Sequence, residues 1–421
     1  MGRPGRKPRT QIVCKLHLYA GGNIGNTYND FSDEGNDGHD IYKQIACYYS
    51  GVATRGSAFR RKIRNVVPGE AIDTIIAEVE EDLKEIYKDG DKLFVFGFSR
   101  GAATARLFVS DLNKYQVSPI RVAFLGLYDT VLQSPFKYGT STSIFNMDIH
   151  DKKSSKLPTI VEKAVHFVAI DEHRYNFQPT LLNKDSRVKE IWVPGCHSDC
   201  GGGYYHDGIS DAVLECMKME AKEAGLKFRE ITEETCKKHH DSLICPIVVA
   251  KQNNDGHLFS KRLFSTNLVE QGSKGEVANQ FKDGQLFSNY DNNMELKPNA
   301  QDEDVHDYRR GNKKFLLGPV YRSINFVTRF EKRDIGVVVS GDKIVKDEPI
   351  LLLDIVLDRM KHLVLPKEFN LDWVDSYKSK KYRPEHLKGI PFKIVNSSTM
   401  SIGEKEYKGI DEYFEEYGLV W

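Results

Sequence analysis

The tightest constraint in this sequence is a change of period across a five-residue turn. Residues 92–98, KLFVFGF, are apolar after the lysine, as expected of a central parallel strand buried on both faces. AATARLFVSDL follows from Ala102 and combines good helix formers with apolar residues at helical spacing. Only Gly97-Phe98-Ser99-Arg100-Gly101 spans the join. The first two hundred residues alternate short apolar runs with helical stretches in the same way, the pattern of an α/β layer structure, a mostly parallel sheet with helices on both faces. Glycine on either side of the serine fits a strained turn in which larger side chains would collide with the neighbouring strand and helix. The stretch lacks a G-K-[ST] sequence, so a phosphate-cradling loop is disfavoured.

The surrounding chain supports this class. Residues 69–88 place Ile72, Ile75, Ile76, Val79, Leu83 and Ile86 at three- and four-residue spacing, an amphipathic helix. RVAFLGLY (121–128), KAVHFVAI (163–170) and VKEIWVP (188–194) read as strands, and 209–225 reads as a further packed helix ending at Gly225. VCKLHLY (13–19) and IACYYSGV (45–52) also read as strands. The expected organisation is a basic disordered arm over 1–11, a core over 12–230, and a cap or lid with additional C-terminal elements over 231–421. Within the last part, 250–313 is polar and aperiodic, as a functional lid or a disordered segment would be. SINFVTRF and ILLLDIVLDRM restore apolar character towards the C-terminus.

Charge removes some partner classes. Sixty basic residues offset by sixty acidic ones leave no global field to hold nucleic acid or an anionic membrane. Seven cysteines, an odd number without framework spacing, fit free thiols in a reducing compartment. MGRPGRKPR is not followed by an apolar h-region, and no stretch approaches the roughly 18–20 apolar residues of a membrane span. The expected location is cytoplasmic, or exported without a cleaved signal peptide.

In its context of strand, turn and helix, G-x-S-x-G matches the nucleophile elbow of a serine hydrolase. The bland alternative is a serine that merely caps the helix. An elbow nucleophile requires an acid and then a histidine on later strand-end loops. Asp129 follows RVAFLGLY, and His197 follows the strand that ends before PGCHSD. Ser99, Asp129 and His197 therefore form the candidate triad, with Asp171 and Asp199 as alternative acids. The N–H of Arg100 and one from Gly21 or Gly22, in the loop AGGNIGN, are the candidate oxyanion donors. GCHSDC (195–200) also carries side chains of zinc-ligand type, so a zinc site completed by His206 or Cys216 stays open, although its C-x-x-x-C spacing is not that of a zinc knuckle.

Taken together, GFSRGAATAR (97–106), FLGLYDTV (124–131), HFVAIDEHRYNFQP (166–179), EIWVPGCHSDCGGGY (190–204) and GISDAVLECMKMEAKEAGLKF (208–228) resemble a known family. This is the α/β-hydrolase domain shared by type VI secretion phospholipase effectors and many bacterial and fungal proteins. The resemblance covers roughly residues 12–230. It implies an α/β-hydrolase-like fold and a carboxylic-ester hydrolase with Ser99 as nucleophile, Asp129 of the DTV motif as acid and His197 of the HSD motif as base. Phospholipid acyl esters are the implied substrates, without a cofactor or metal. Expected contacts are the membrane periphery and an immunity or adaptor protein, with no nucleic acid. The family's first glycine loop starts Asp-Gly-Thr, whereas Ala20-Gly21-Gly22 stands here. The alternative from a different class is a catalytically silent scaffold that binds a lipid or protein partner.

Overall fold

Alternation of side chains along a strand buried on both faces divides one apolar run between two cores, and Arg121–Tyr128 does this here. Phe124 and Tyr128 join one core cluster, and Leu125 and Leu127 join the other. The computed structural model describes residues 12–20, 28–34, 40–49, 68–112, 120–131, 156–172, 177–195, 197–202, 208–228, 333–340, 343–346, 348–362 and 384–419. The basic arm 1–11, Gly21 and Gly22, the polar segment 250–313 and SINFVTRF lie outside them.

In chain order the elements are α1 (Ile12–Tyr19), β1 (Tyr28–Glu34), β2 (Asp40–Cys47), α2 (Pro68–Ile86), β3 (Lys92–Phe98), α3 (Arg100–Asp111), β4 (Arg121–Tyr128), β5 (Ala164–Ala169) and β6 (Val188–Val193). They continue with α4 (His197–Gly201), α5 (Gly208–Glu223), β7 (Val337–Ser340), β8 (Lys343–Lys346), β9 (Ile350–Leu353), α6 (Asp354–His362), β10 (Phe392–Val395), β11 (Ile402–Tyr407) and α7 (Ile410–Glu416). Among the described residues, seven strands form one sheet in the order β11-β10-β9-β6-β5-β4-β3. All its pairings are parallel except β10 with β11.

Helices cover both faces. On one, α1 and α5 pack Ile12, Leu16, Tyr19, Val213 and Met217 against Phe124, Phe167 and Ile191. On the other, α3 sets Ala102, Phe108 and Val109 against Leu125 and Leu127, with Ile76, Val79 and Leu83 of α2 behind them. Each such fully buried aliphatic or aromatic side chain contributes roughly 1.5–3 kcal/mol relative to exposure.

Four expectations need correction. VCKLHLY is part of helix α1, not a strand; Ile12, Leu16 and Tyr19 are buried at helical spacing, and Lys15 is drawn in by a 2.6 Å ion pair with Asp211 of α5. A short apolar run does not separate the two states by periodicity alone. The described part of IACYYSGV, residues 45–49, does not enter the parallel sheet: β2 ends at Cys47 and pairs antiparallel with β1 in a separate two-stranded sheet. Among the described strands KLFVFGF is not central: β3 ends their order, and most of its residues are only half-buried.

The largest correction concerns the boundary near residue 230. Strand β9, from ILLLDIVLDRM, pairs directly with β6, and β10 and β11 extend the sheet beyond it. Residues after 230 therefore complete the core sheet and are not confined to a cap.

Candidate active site

Ser99 sits where β3 passes into α3, in a backbone conformation of φ 59°, ψ −125° that few non-glycine residues adopt. The turn is pinned from both sides. The Ser99 N–H donates to Tyr128 O at 3.0 Å, while Ser99 O accepts from Ala102 and Ala103 N–H of the helix and from Val131 N–H beyond β4. A Cβ on Gly97 would lie 2.5 Å from Ala102 Cα and Gly101 O, both unyielding backbone. That glycine is a steric requirement. Gly101 is different from expectation, since a Cβ there would meet nothing within 4 Å.

The Ser99 hydroxyl makes no cap hydrogen bond to α3, which removes the capping alternative. It turns to His197 instead, with Oγ 2.8 Å from Nε2. His197 Nδ1 lies 2.6 Å from Asp129 Oδ2. Because the ionised carboxylate only accepts, Nδ1 carries the proton and Nε2 presents its lone pair to the serine O–H.

Asp129 is fully buried just past β4, with φ 40°. Its N–H donates to Phe167 O, and Oδ1 accepts from Ala169 N–H at 3.0 Å, both on β5. His197 begins the short helix α4 after β6, its N–H donating to Glu172 Oε2 at 3.3 Å. Two aromatic rings fix the imidazole. Phe98 lies 4.6 Å from it and Phe177 meets it edge-on at 5.0 Å.

The structure gives the other candidate acids different positions. Asp171 Oδ2 accepts the Gly195 N–H at 2.7 Å while its own N–H donates to Gly195 O, so this carboxylate braces the loop before His197. Asp199 is buried against Gly195, whose φ of 93° and missing Cβ leave room for that side chain. Of the candidate oxyanion donors, Arg100 opens α3, where backbone N–H groups lack helical partners. Gly21 and Gly22 lie outside the described residues.

One residue of the site carries no signal in the sequence. Arg333, its side chain fully buried, donates from one guanidinium nitrogen to Asp129 Oδ1 at 2.6 Å and from the other to Oδ2 at 2.8 Å. The same nitrogens donate to the carbonyls of Ala169 and Phe177. Asp129 thus receives four donors, two on each oxygen, which fills the acceptor capacity of a carboxylate. Burial alone would raise its pKa, but the Arg333 charge and the hydrogen bonds from His197 and Arg333 together hold it well below the usual carboxylate range. A lone arginine within EKRDIG (331–336) offers no local pattern to single it out.

The zinc reading of GCHSDC loses its central ligand, because both ring nitrogens of His197 are engaged by Asp129 and Ser99. Cys200 is buried beneath the loop, and burial pushes its thiol pKa well up, away from the thiolate a metal needs. Cys216 is likewise buried and raised. Cys196 and His206 lie outside the described residues. An oriented imidazole with its basic nitrogen on a hydroxyl is an arrangement able to remove the hydroxyl proton as the oxygen attacks an electrophile.

Residues 18–117 and 110–220 match the family described as T6SS, phospholipase effector Tle1-like, catalytic domain. Among solved structures, the chain is similar to a Tle1 effector bound to the VgrG spike from the type 6 secretion system, at 18% identity and a TM-score of 0.41 over 56% of this chain and 66% of that one. It is also similar to an uncharacterized protein from Pseudomonas aeruginosa, at 20% identity and a TM-score of 0.31 over 60% of this chain and 40% of the other. The chain therefore spans less than two thirds of either. No curated protein matches it.

Proposed function

We propose that this chain, whose residues 18–220 match the Tle1-like phospholipase effector catalytic domain, is a serine-dependent carboxylic-ester hydrolase acting on phospholipid acyl esters. The observation that carries the reading is the unbroken chain Asp129–His197–Ser99, with separations of 2.6 and 2.8 Å and the serine in a strained turn.

In this mechanism Ser99 Oγ attacks the ester carbonyl carbon as its proton passes to His197 Nε2. Asp129 holds the imidazole by Nδ1–H and stabilises the imidazolium that forms. The Arg100 N–H, with one from Gly21 or Gly22, takes the oxyanion, a contact typically worth about 2.7–4 kcal/mol in the transition state. Collapse of the tetrahedral intermediate breaks the ester C–O bond, and His197 returns the proton to the departing alcohol. A water activated by the same imidazole then attacks the acyl-serine, releasing the fatty acid and restoring Ser99.

The match over residues 18–220 supports a lipid substrate and export by a type VI secretion system as parts of this proposal. Among the described residues no helix is long and apolar enough to cross a membrane; the lipid contact in this proposal is peripheral. The test is hydrolysis of phosphatidylcholine vesicles and of a short p-nitrophenyl ester by purified Ser99→Ala and His197→Ala. Each variant is expected to lose at least about 10⁴-fold in kcat, in line with triad deletions elsewhere, with its melting behaviour retained. Undiminished turnover by Ser99→Ala would sink the proposal. A fluorophosphonate probe adds a second readout: a competent elbow is labelled at Ser99, whereas a silent binding scaffold is not.

A further inference from the structure

Arg333 reaches the site from 204 residues beyond Asp129 in the chain, and outside the segment that matches the family. We infer that Arg333 is a positioning residue for the proposed hydrolysis: its guanidinium fork fixes the rotation of the Asp129 carboxylate and thereby aims His197 at Ser99. This inference rests on the Ser99–His197–Asp129 reading.

The geometry argues for more than charge balance. An arginine fork donating to both oxygens of a carboxylate sets the carboxylate plane, which a single-point contact does not do. Here the fork is itself held, because each terminal nitrogen also donates to a carbonyl. One of those carbonyls belongs to Ala169, whose N–H is on Asp129 Oδ1. The other belongs to Phe177, whose ring packs edge-on against His197. Asp129, the imidazole and its aromatic wall are therefore referred to one buried group. Asp129 needs such restraint, because its positive φ places it on a turn that few side chains favour.

The cation also acts on the protonation chemistry. Arg333 offsets the charge of Asp129, so it opposes formation of the imidazolium on the resting His197 and extends the neutral, proton-accepting form of the ring to lower pH. Other titratable groups face the pair. Glu172 accepts the His197 backbone N–H and interacts with Arg333. Cys200 lies against Asp129 and Arg333, with Asp199 beside it. His166 accepts the Thr130 N–H at 3.1 Å, one residue past Asp129, and its Nδ1 faces Glu190 at 2.8 Å.

The experiment measures kcat and KM against pH for p-nitrophenyl ester hydrolysis by the wild type, Arg333→Lys and Arg333→Gln. Wild-type labelling of Ser99 by a fluorophosphonate is recorded alongside. Arg333→Gln removes the charge. It is expected to lose about 100-fold or more in kcat, the scale of a 1 Å misplacement, and to move the acidic limb of kcat/KM upward by about one pH unit. Arg333→Lys keeps the charge without the fork. It is expected to lose about tenfold in kcat per fluorophosphonate-titrated site, with KM and the acidic limb unchanged; counting kcat per titrated site separates this from a general loss of folded protein.

An acidic limb for Arg333→Gln that coincides with the wild type, or full kcat in Arg333→Lys, overturns the inference. The lysine variant decides the matter should the glutamine variant fail to fold. A wild type that is not labelled at Ser99 refutes the triad reading itself and the inference with it. A labelled wild type with unaffected Arg333 variants refutes only the role of Arg333.

Discussion

Asparagine at position 129 separates the electrostatic role of this carboxylate from every other property of the site. Asn matches Asp in shape and tolerates a positive φ at least as well, so the turn at φ 40° is not disturbed. What changes is the number of acceptors. The native carboxylate receives Ala169 N–H, His197 Nδ1 and two guanidinium nitrogens. An asparagine has one oxygen, and its NH₂ must then face donors. Arg333, with a side chain that is 0% exposed, is left as a buried cation without its counter-charge.

Removing one partner of a buried ion pair costs about 3–5 kcal/mol. At roughly 2 °C per kcal/mol for a large domain, Asp129→Asn should therefore melt about 6 °C or more below Ser99→Ala, although both are expected to be inactive. The assay is thermal unfolding by circular dichroism at pH 7, checked by urea midpoints. Asp129→Asn/Arg333→Met should recover much of the lost stability without recovering activity, because the orphaned charge is gone. A melting temperature within about 2 °C of that of Ser99→Ala, or strict additivity in the double variant, would refute the reasoning.

Two further predictions follow from the same region. Gly201→Ala would place a Cβ 2.0–2.3 Å from ring carbons of Phe98, the ring that packs on His197. A cost of about 1–3 kcal/mol in stability and at least a tenfold loss of kcat/KM is expected, and wild-type kinetics would contradict it. The carboxyl of Asp129 is held below its ordinary range in the fold, so it contributes stability that is present above its unfolded value near pH 4 and lost as pH falls towards the folded one. Urea midpoints of the wild type should therefore fall more steeply between about pH 5 and pH 3 than those of Asp129→Asn; parallel profiles would count against it.

The contrast between Ser99 and Arg333 shows what this sequence discloses and what it hides. Ser99, Asp129 and His197 each follow a strand whose apolar run is legible, so the G-x-S-x-G motif and the strand ends together direct attention to them, although Asp171 stands at such an end too. Arg333 precedes the short strand β7 in a mixed-charge stretch, and its partner is 204 residues away; no local pattern encodes such a pairing. ILLLDIVLDRM was visible as an apolar run, but its division into β9 and α6 at Leu353/Asp354 is set by tertiary contacts, with Asp354 accepting the Ser397 N–H at 3.0 Å. The strand expected over 13–19 gives way to helix α1 for a related reason: seven residues are too few to separate the two periods, and the buried lysine finds its acid only in the folded protein.

The pairing of β6 with β9 also has a consequence for synthesis. When Val193 leaves the ribosome, the edge that will receive Leu351 and Leu352 is still open, and the guanidinium that will neutralise Asp129 has not been made. At about 5–20 residues per second, roughly ten to thirty seconds separate β6 from β9. A nascent chain therefore holds its serine and histidine well before it holds the sheet and counter-ion that organise them. On the proposed function, full hydrolysis of membrane lipid is expected only after β9 has paired with β6 and Arg333 has reached Asp129.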